Sequence, residues 1–169
     1  MSPEIAMPAT ATEYRTPQSW IVLAVFLALV VGIGGLIGSQ TAPGPWYDQL
    51  QKPPLNPPNW VFGPVWFTLY VLIAIAGWRV WMDDPKSTAM KFWGAQMLLN
   101  WAWSPVWFGA NQPWLAFAII VAMWLCIVGF ILATRYRDKL AAWLFVPYLA
   151  WVSFATYLNL SIALLNPQA

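Results

Sequence analysis

From Phe92 to Thr134 the chain runs for 43 residues without an Asp, Glu, Lys or Arg. As one helix, at 1.5 Å per residue, that stretch would be about 64 Å long. The hydrocarbon core of a bilayer is only ~30 Å thick, so the run makes two crossings rather than one. The break falls at Gly109-Ala110-Asn111-Gln112-Pro113, where polar residues and a proline stop a helix. Further uncharged runs occupy Trp20–Ser39, Trp60–Trp78 and Leu140–Pro167. The reading is an all-α integral membrane protein, a five-transmembrane-helix bundle. Its expected helices are 20–39, 60–82, 89–109, 113–134 and 141–165, within a membrane domain over 20–169. Residues 1–19 read as a disordered tail, and 40–59 as a lid-like loop. The first apolar run is longer than the 7–15 residues of a signal-peptide core, so it is read as a retained anchor.

Charge supports the same class and removes others. Charged residues make up 8% of the chain and the net charge is +2, against about 25% charged in soluble domains. There is no histidine and one cysteine, Cys126. The commonest general base and metal ligand is therefore missing, and no disulfide or thiolate cage can form within the chain. Nucleic-acid binding, metal chemistry and histidine-based hydrolysis are poor expectations. Ion-coupled transport is disfavoured as well, because ionisable groups at mid-membrane are absent from the spans. Arg15, Arg79, Lys86, Lys91, Arg135, Arg137 and Lys139 fall on one side of the expected topology, with Lys52 alone on the other. The positive-inside tendency then puts the N-terminus inside, if the membrane is a cytoplasmic one.

The 40–59 loop holds Pro43, Pro45, Pro53, Pro54, Pro57 and Pro58. Fixed φ angles leave such a segment little entropy to lose on ordering, and Trp46 and Tyr47 give it surface to pack as a lid. Asp48 could pair with Lys52, cap a turn, or meet a ligand at the mouth. Of the 14 tryptophans, Trp20, Trp60, Trp81, Trp114 and Trp143 lie near span ends, where aromatic belts form. Trp66, Trp101, Trp103, Trp124 and Trp151 lie deeper, as packing or as stacking surface. Asn100 and Asn159 are costly in hydrocarbon unless hydrogen-bonded, so each serves either as glue between helices or as ligand lining. Gly34 and Gly38 form a GxxxG pair that permits close approach within the protomer or at a dimer face.

Three blocks carry a resemblance: WYDQLQKPPLNPPNWVFGPVWFTLY (46–70), QMLLNWAWSPVWFGANQ (96–112) and VPYLAWVSFATYLN (146–159). In this order they resemble the translocator protein family, also called tryptophan-rich sensory proteins, and in particular its bacterial-type members. The resemblance implies a five-helix homodimer in the bilayer, in a bacterial cell membrane. Its pocket under the first loop would bind porphyrins and other hydrophobic small molecules, with protoporphyrin or a haem-like molecule as ligand and no obligatory cofactor. It places the ligand-binding residues at Tyr47, Pro58, Trp66, Tyr70, Asn100, Trp103, Trp151 and Ala155. Trp66 and Trp151 are its candidates for light-dependent porphyrin breakdown. Depth arithmetic is compatible: Trp66, Asn100, Ala155 and Trp151 lie roughly 9, 14, 15 and 21 Å below the loop-one end. Two departures matter. Pro54-Leu55 replaces an aromatic found in many relatives, which reduces the lid's stacking surface. No Lys or Arg follows Tyr157, so the cholesterol-recognition pattern of animal members is absent. A membrane receptor or regulator for porphyrin-like ligands is the leading function. Passive transport, porphyrin photodegradation and a structural subunit are the alternatives.

Overall fold

Six helices and no strand make up the described part of the chain, which in the computed structural model comprises Tyr14, residues 16–41 and residues 43–168. The first, α1 (Pro17–Gln40), contains a π-helical turn at Ala28–Gly32. A short α2 (Pro45–Gln49) follows, and then α3 (Phe62–Asp83), which is led in by a 3-10 turn at Asn59–Val61. Next comes α4 (Thr88–Ser104), extended by a second π turn at Pro105–Gly109. The last two are α5 (Pro113–Thr134) and α6 (Lys139–Leu165). The expected tail over 1–19 lies outside the described residues, except for Tyr14 and 16–19. Of these, Pro17–Ser19 already belong to α1: the Thr16 hydroxyl accepts from Ser19 N at 3.2 Å and proline occupies the first turn.

Local chemistry explains the other boundaries. Ser87 caps α4 by accepting from Met90 N. Asp138 caps α6 by accepting from Ala141 N at 3.0 Å. Asn111, at φ 54°, makes the left-handed turn between α4 and α5, a conformation asparagine tolerates better than most residues. The expected break between the third and fourth rods falls at that turn. Proline at the start of α2 fits the first helical turn, where its missing N–H costs nothing. Among the described residues, that single turn is the only helix within 43–58.

The long helices close into a ring in which α1 packs on α3, α3 on α6, α6 on α5, α5 on α4, and α4 on the C-terminal half of α1. At one end, Arg79 makes a two-pronged bond to Asp138 (2.8 and 3.1 Å) and Arg137 pairs with Asp83, joining the α3–α4 and α5–α6 connections. At the other end, Asn166 at the end of α6 holds the first loop. Its amide accepts from Gln51 N and donates to Gln51 O, both at 2.9 Å.

Among the described residues, four helices are long and apolar enough to cross a bilayer: Pro17–Gln40, Asn59–Asp83, Pro113–Thr134 and Lys139–Leu165. The rod formed by α4 and its π turn does not reach the same apolarity, because it carries Lys91, Gln96, Asn100 and Ser104. Gln96 and Asn100 are turned inward and buried. The outward surface is apolar, with Ile21, Leu36, Phe67, Leu98, Leu125, Leu132 and Leu164 all exposed. The five tryptophans expected at span ends, Trp20, Trp60, Trp81, Trp114 and Trp143, are all exposed too.

A candidate ligand-binding site between three helices

A core of fully buried side chains lies where α3, α4, α5 and α6 meet. Phe130 and Phe145 stack at 3.9 Å, and both are fully buried, as are Ile73, Met123, Ile127 and Tyr148. A polar thread passes through this core, and one atom sets its direction. The main-chain carbonyl of Trp93 can only accept, so Gln96 Nε2 donates to it at 2.9 Å. Gln96 Oε1 then accepts from Tyr148 OH at 2.9 Å. The Tyr148 oxygen accepts from Asn100 Nδ2 at 2.9 Å, and Asn100 Oδ1 accepts from Tyr70 OH at 3.1 Å. Met123 Sδ is a second acceptor for the Tyr148 proton at 3.2 Å, and the thread emerges at Tyr70 and Asn100.

Those two residues form part of the wall of a half-open cavity of about 370 Å³ bounded by α1, α3 and α4. This size falls within the ~300–1,000 Å³ usual for small-molecule sites. From α1 come Val31, Gly34, Gly35 and Gly38; from α3 come Phe62, Gly63, Trp66, Phe67 and Tyr70; from α4 and its π turn come Asn100, Trp103, Ser104 and Phe108. Thr41, Pro43 and Asn59 border it at the end nearest the first loop. Among the described residues, no Asp, Glu, Lys or Arg lines it. Tyr70 lies about 16 Å along the helix axis from Asn59, roughly half the thickness of a bilayer core.

Two local features shape the walls. A π turn adds one residue to a helix, which rotates the residues downstream of it by about 100°. The π turn of α1 immediately precedes the glycines that face the cavity, and that of α4 begins directly after Ser104 and supplies Phe108. Glycine sets the depth. A Cβ on Gly34 would meet Tyr70 Cζ at 2.6 Å, so this glycine lets the tyrosine ring lie against α1. Gly35, Gly38 and Gly63 would meet nothing within 4 Å, so there the missing side chains are open space. The GxxxG pair thus has two roles: Gly34 makes the close approach within the protomer, and Gly38 lines the cavity.

The hydroxyls near the loop end are committed. Thr41 Oγ1 donates to Ile37 O at 2.8 Å, which leaves Ser104 to donate the 2.6 Å bond to Thr41 Oγ1. This bond ties the end of α1 to α4.

Of the eight residues expected to bind ligand, Trp66, Tyr70, Asn100 and Trp103 line this cavity. Tyr47, Pro58, Trp151 and Ala155 do not. Tyr47 sits on α2, 3% exposed, with its ring 5.4 Å from Phe108 and its hydroxyl donating to Asn56 Oδ1 at 3.0 Å. Burial pushes its phenol above the ordinary 10.0; Asn56 opposes that shift and nearby Asp48 adds to it. Pro58 immediately precedes Asn59 at the border. Trp151 stands one ring behind the wall, 6.0 Å from Phe62, and its indole N–H is buried without a partner among the described residues. Ala155 is buried on α6. Asn159 acts as glue: it accepts from Trp103 Nε1 at 3.1 Å and donates to Pro113 O at 3.0 Å. The Lys52 ammonium reaches the Asp48 and Leu50 carbonyls and lies over the Tyr47 ring, so Asp48 meets Lys52 through its main chain. Sequence reasoning missed most of the apolar lining, among it Val31, Gly35, Phe62, Phe67 and Phe108, and the hydroxyl of Ser104. Proline after Ser104 was the visible hint of the second π turn; the first left no hint.

Similarity to known proteins agrees with this architecture. The profile of the TspO/MBR family matches residues 21–165. A tryptophan-rich sensory protein of Cereibacter sphaeroides is 39% identical over 88% of this chain and 94% of its own length. A tryptophan-rich protein TspO of Chlorobaculum tepidum is 37% identical, over 87% and 96%. A translocator protein of Ovis aries is 36% identical, over 82% and 86%. With its apolar helices, its lipid-suited surface and this match over most of its length, the chain is an integral membrane protein that belongs to the TspO/MBR family.

Proposed function

We propose that this protein is a membrane receptor that binds porphyrin-like tetrapyrroles and related hydrophobic ligands in the cavity between α1, α3 and α4. All five long rods cross the bilayer in this reading. The rod begun by α4 is less apolar than the others because it carries amides, which point into the bundle and bond Tyr70, Tyr148 and the Trp93 carbonyl. The basic ends face the inside of a bacterial cell membrane, with the N-terminus inside, and the protein works as a homodimer. One observation carries the proposal: an uncharged, half-open cavity walled by the Trp66 and Trp103 indoles, with Tyr70 and Asn100 at its deep end. Indole faces suit a flat aromatic ring, and apolar walls with a few fixed polar groups are the usual make-up of a small-molecule site. The names of relatives such as the tryptophan-rich sensory protein of Cereibacter sphaeroides fit a sensory role.

The test is a dark titration of the protein in nanodiscs with protoporphyrin, followed by tryptophan fluorescence. Saturable quenching beyond that of empty discs is expected, and Trp66→Ala should weaken it about tenfold. Absence of saturable quenching overturns the proposal. A second reading, light-driven breakdown of bound porphyrin, draws support from Trp66 in the wall and Trp151 one ring behind it. Bleaching of bound porphyrin no faster than free porphyrin under illumination removes that reading.

A further inference from the structure

The hydrogen-bond thread leaves one donor unspent at the deep end of the cavity. Tyr70 gives its only proton to Asn100, and Asn100 Oδ1 is occupied by accepting it. Asn100 Nδ2 has two hydrogens, and Tyr148 takes one. The other has no partner among the described residues, although Asn100 is only 5% exposed and lines the cavity. A buried N–H without an acceptor costs more than one that is satisfied. Rotating the amide does not remove the problem. The Trp93 carbonyl fixes Gln96; Tyr148 gives its proton to Gln96 Oε1 or to Met123 Sδ at 3.2 Å, and with either acceptor its oxygen takes a donor from Asn100.

The cavity is half-open; Thr41, Pro43 and Asn59 mark its end at the first loop, and among the described residues no charged side chain lines it. Carboxylates carried into the deep end would be desolvated with no counter-charge, which is strongly unfavourable. An amphiphilic tetrapyrrole, with its two carboxylates on one edge, therefore seats with that edge toward the loop. In that pose the opposite edge is the one directed toward the deep end, where Asn100 lines the wall. In protoporphyrin that edge carries only vinyl and methyl groups, which cannot accept a hydrogen bond.

We infer that this cavity selects a tetrapyrrole bearing a carbonyl group on the edge opposite its carboxylates, and that the free Asn100 N–H holds that carbonyl. The inference rests on the proposed tetrapyrrole site and adds the class of ring substituent that the site reads. A site that presents a buried donor discriminates strongly against an analogue lacking the acceptor, because the donor is left unpaired.

The test compares mesoporphyrin, with ethyl groups on the deep edge, and diacetyldeuteroporphyrin, with acetyl groups there. Both are titrated in the dark into the full-length protein in nanodiscs, with empty discs as the blank. The acetyl compound should bind about tenfold more tightly, and Asn100→Leu should abolish the preference. Because removing Asn100 also disturbs Tyr148, a second measurement uses the unaltered protein. The infrared acetyl C=O stretch of the bound ligand should move to lower wavenumber than in empty discs. Equal affinities with an unshifted carbonyl overturn the inference and leave the tetrapyrrole site standing. No saturable binding of either porphyrin overturns both.

Discussion

The two sides of this bundle use the same apolar alphabet to opposite ends. Where α5 and α6 meet α3 and α4, large side chains interlock: Phe130 on Phe145, with Ile73, Met123 and Ile127 fully buried around them. Where α1 faces α3 and α4, glycines stand in place of side chains, and a half-open cavity results. Inside a bilayer the hydrophobic effect does not separate these cases, since lipid tails are as apolar as leucine. Close packing and hydrogen bonds between helices hold such a bundle together. The closed side provides stability and anchors the Gln96–Tyr148–Asn100 thread, and the open side uses the end of that thread as a fixed polar feature. A cavity can be left unfilled because its walls are braced from behind.

That contrast can be broken at graded positions, with unfolding followed by thermal scanning or denaturing detergent. Phe130→Ala on the closed side removes a fully buried stacked ring and should cost about 3–5 kcal/mol. A loss under 1 kcal/mol would mean the closed side is not the brace. Gly34→Ala sits at the seam between the two sides. Its new methyl drives into the Tyr70 ring, and an overpacking cost of about 1–3 kcal/mol is expected, with ligand affinity falling as Tyr70 shifts. Tyr47→Phe on the first loop deletes the bond to Asn56 and should cost about 0.5–1.5 kcal/mol.

The same phenol gives a pH test. Its folded-state pKa lies above the ordinary 10.0, so the folded form holds its proton more tightly than the unfolded form. The associated stability is full below pH 10 and is lost as pH rises through the higher folded value. A melting temperature of the parent that falls above pH 10, with a smaller fall in Tyr47→Phe, is the expected pattern. Gly38→Ala, one helical turn beyond Gly34 on the open side, should change stability by no more than about 0.5 kcal/mol, because its Cβ meets nothing.

Much of this architecture can be read from charge placement alone. The 43-residue uncharged run from Phe92 to Thr134 had to fold back on itself, and the turn falls at Asn111. The exposed tryptophans were legible from their positions near span ends, since an interface selects amphipathic rings wherever a helix meets it. Asn159 was legible as glue, because a lone amide in an apolar helix has few other uses. The cavity was only half legible. Trp66, Tyr70, Asn100 and Trp103 lie on stretches whose motifs are distinctive, but the α1 wall is built from Val31 and glycines that carry no chemistry of their own. Which of those glycines faces Tyr70 and which faces empty space depends on helix rotation, and the π turn at Ala28–Gly32 alters that rotation without a sequence signal. Trp151 shows the converse. Its depth is compatible with the site, but its azimuth puts Phe62 between it and the cavity.

The ligand is proposed to sit in the space between α1, α3 and α4, so filling that space should exclude it. Gly38→Leu projects a side chain into the cavity from a position where a Cβ meets no atom within 4 Å, so the fold should tolerate it. In a dark titration with protoporphyrin in nanodiscs, the dissociation constant should rise at least about tenfold with the melting temperature unchanged. Parent-like affinity in a normally folded Gly38→Leu protein would contradict the account and place the ligand elsewhere.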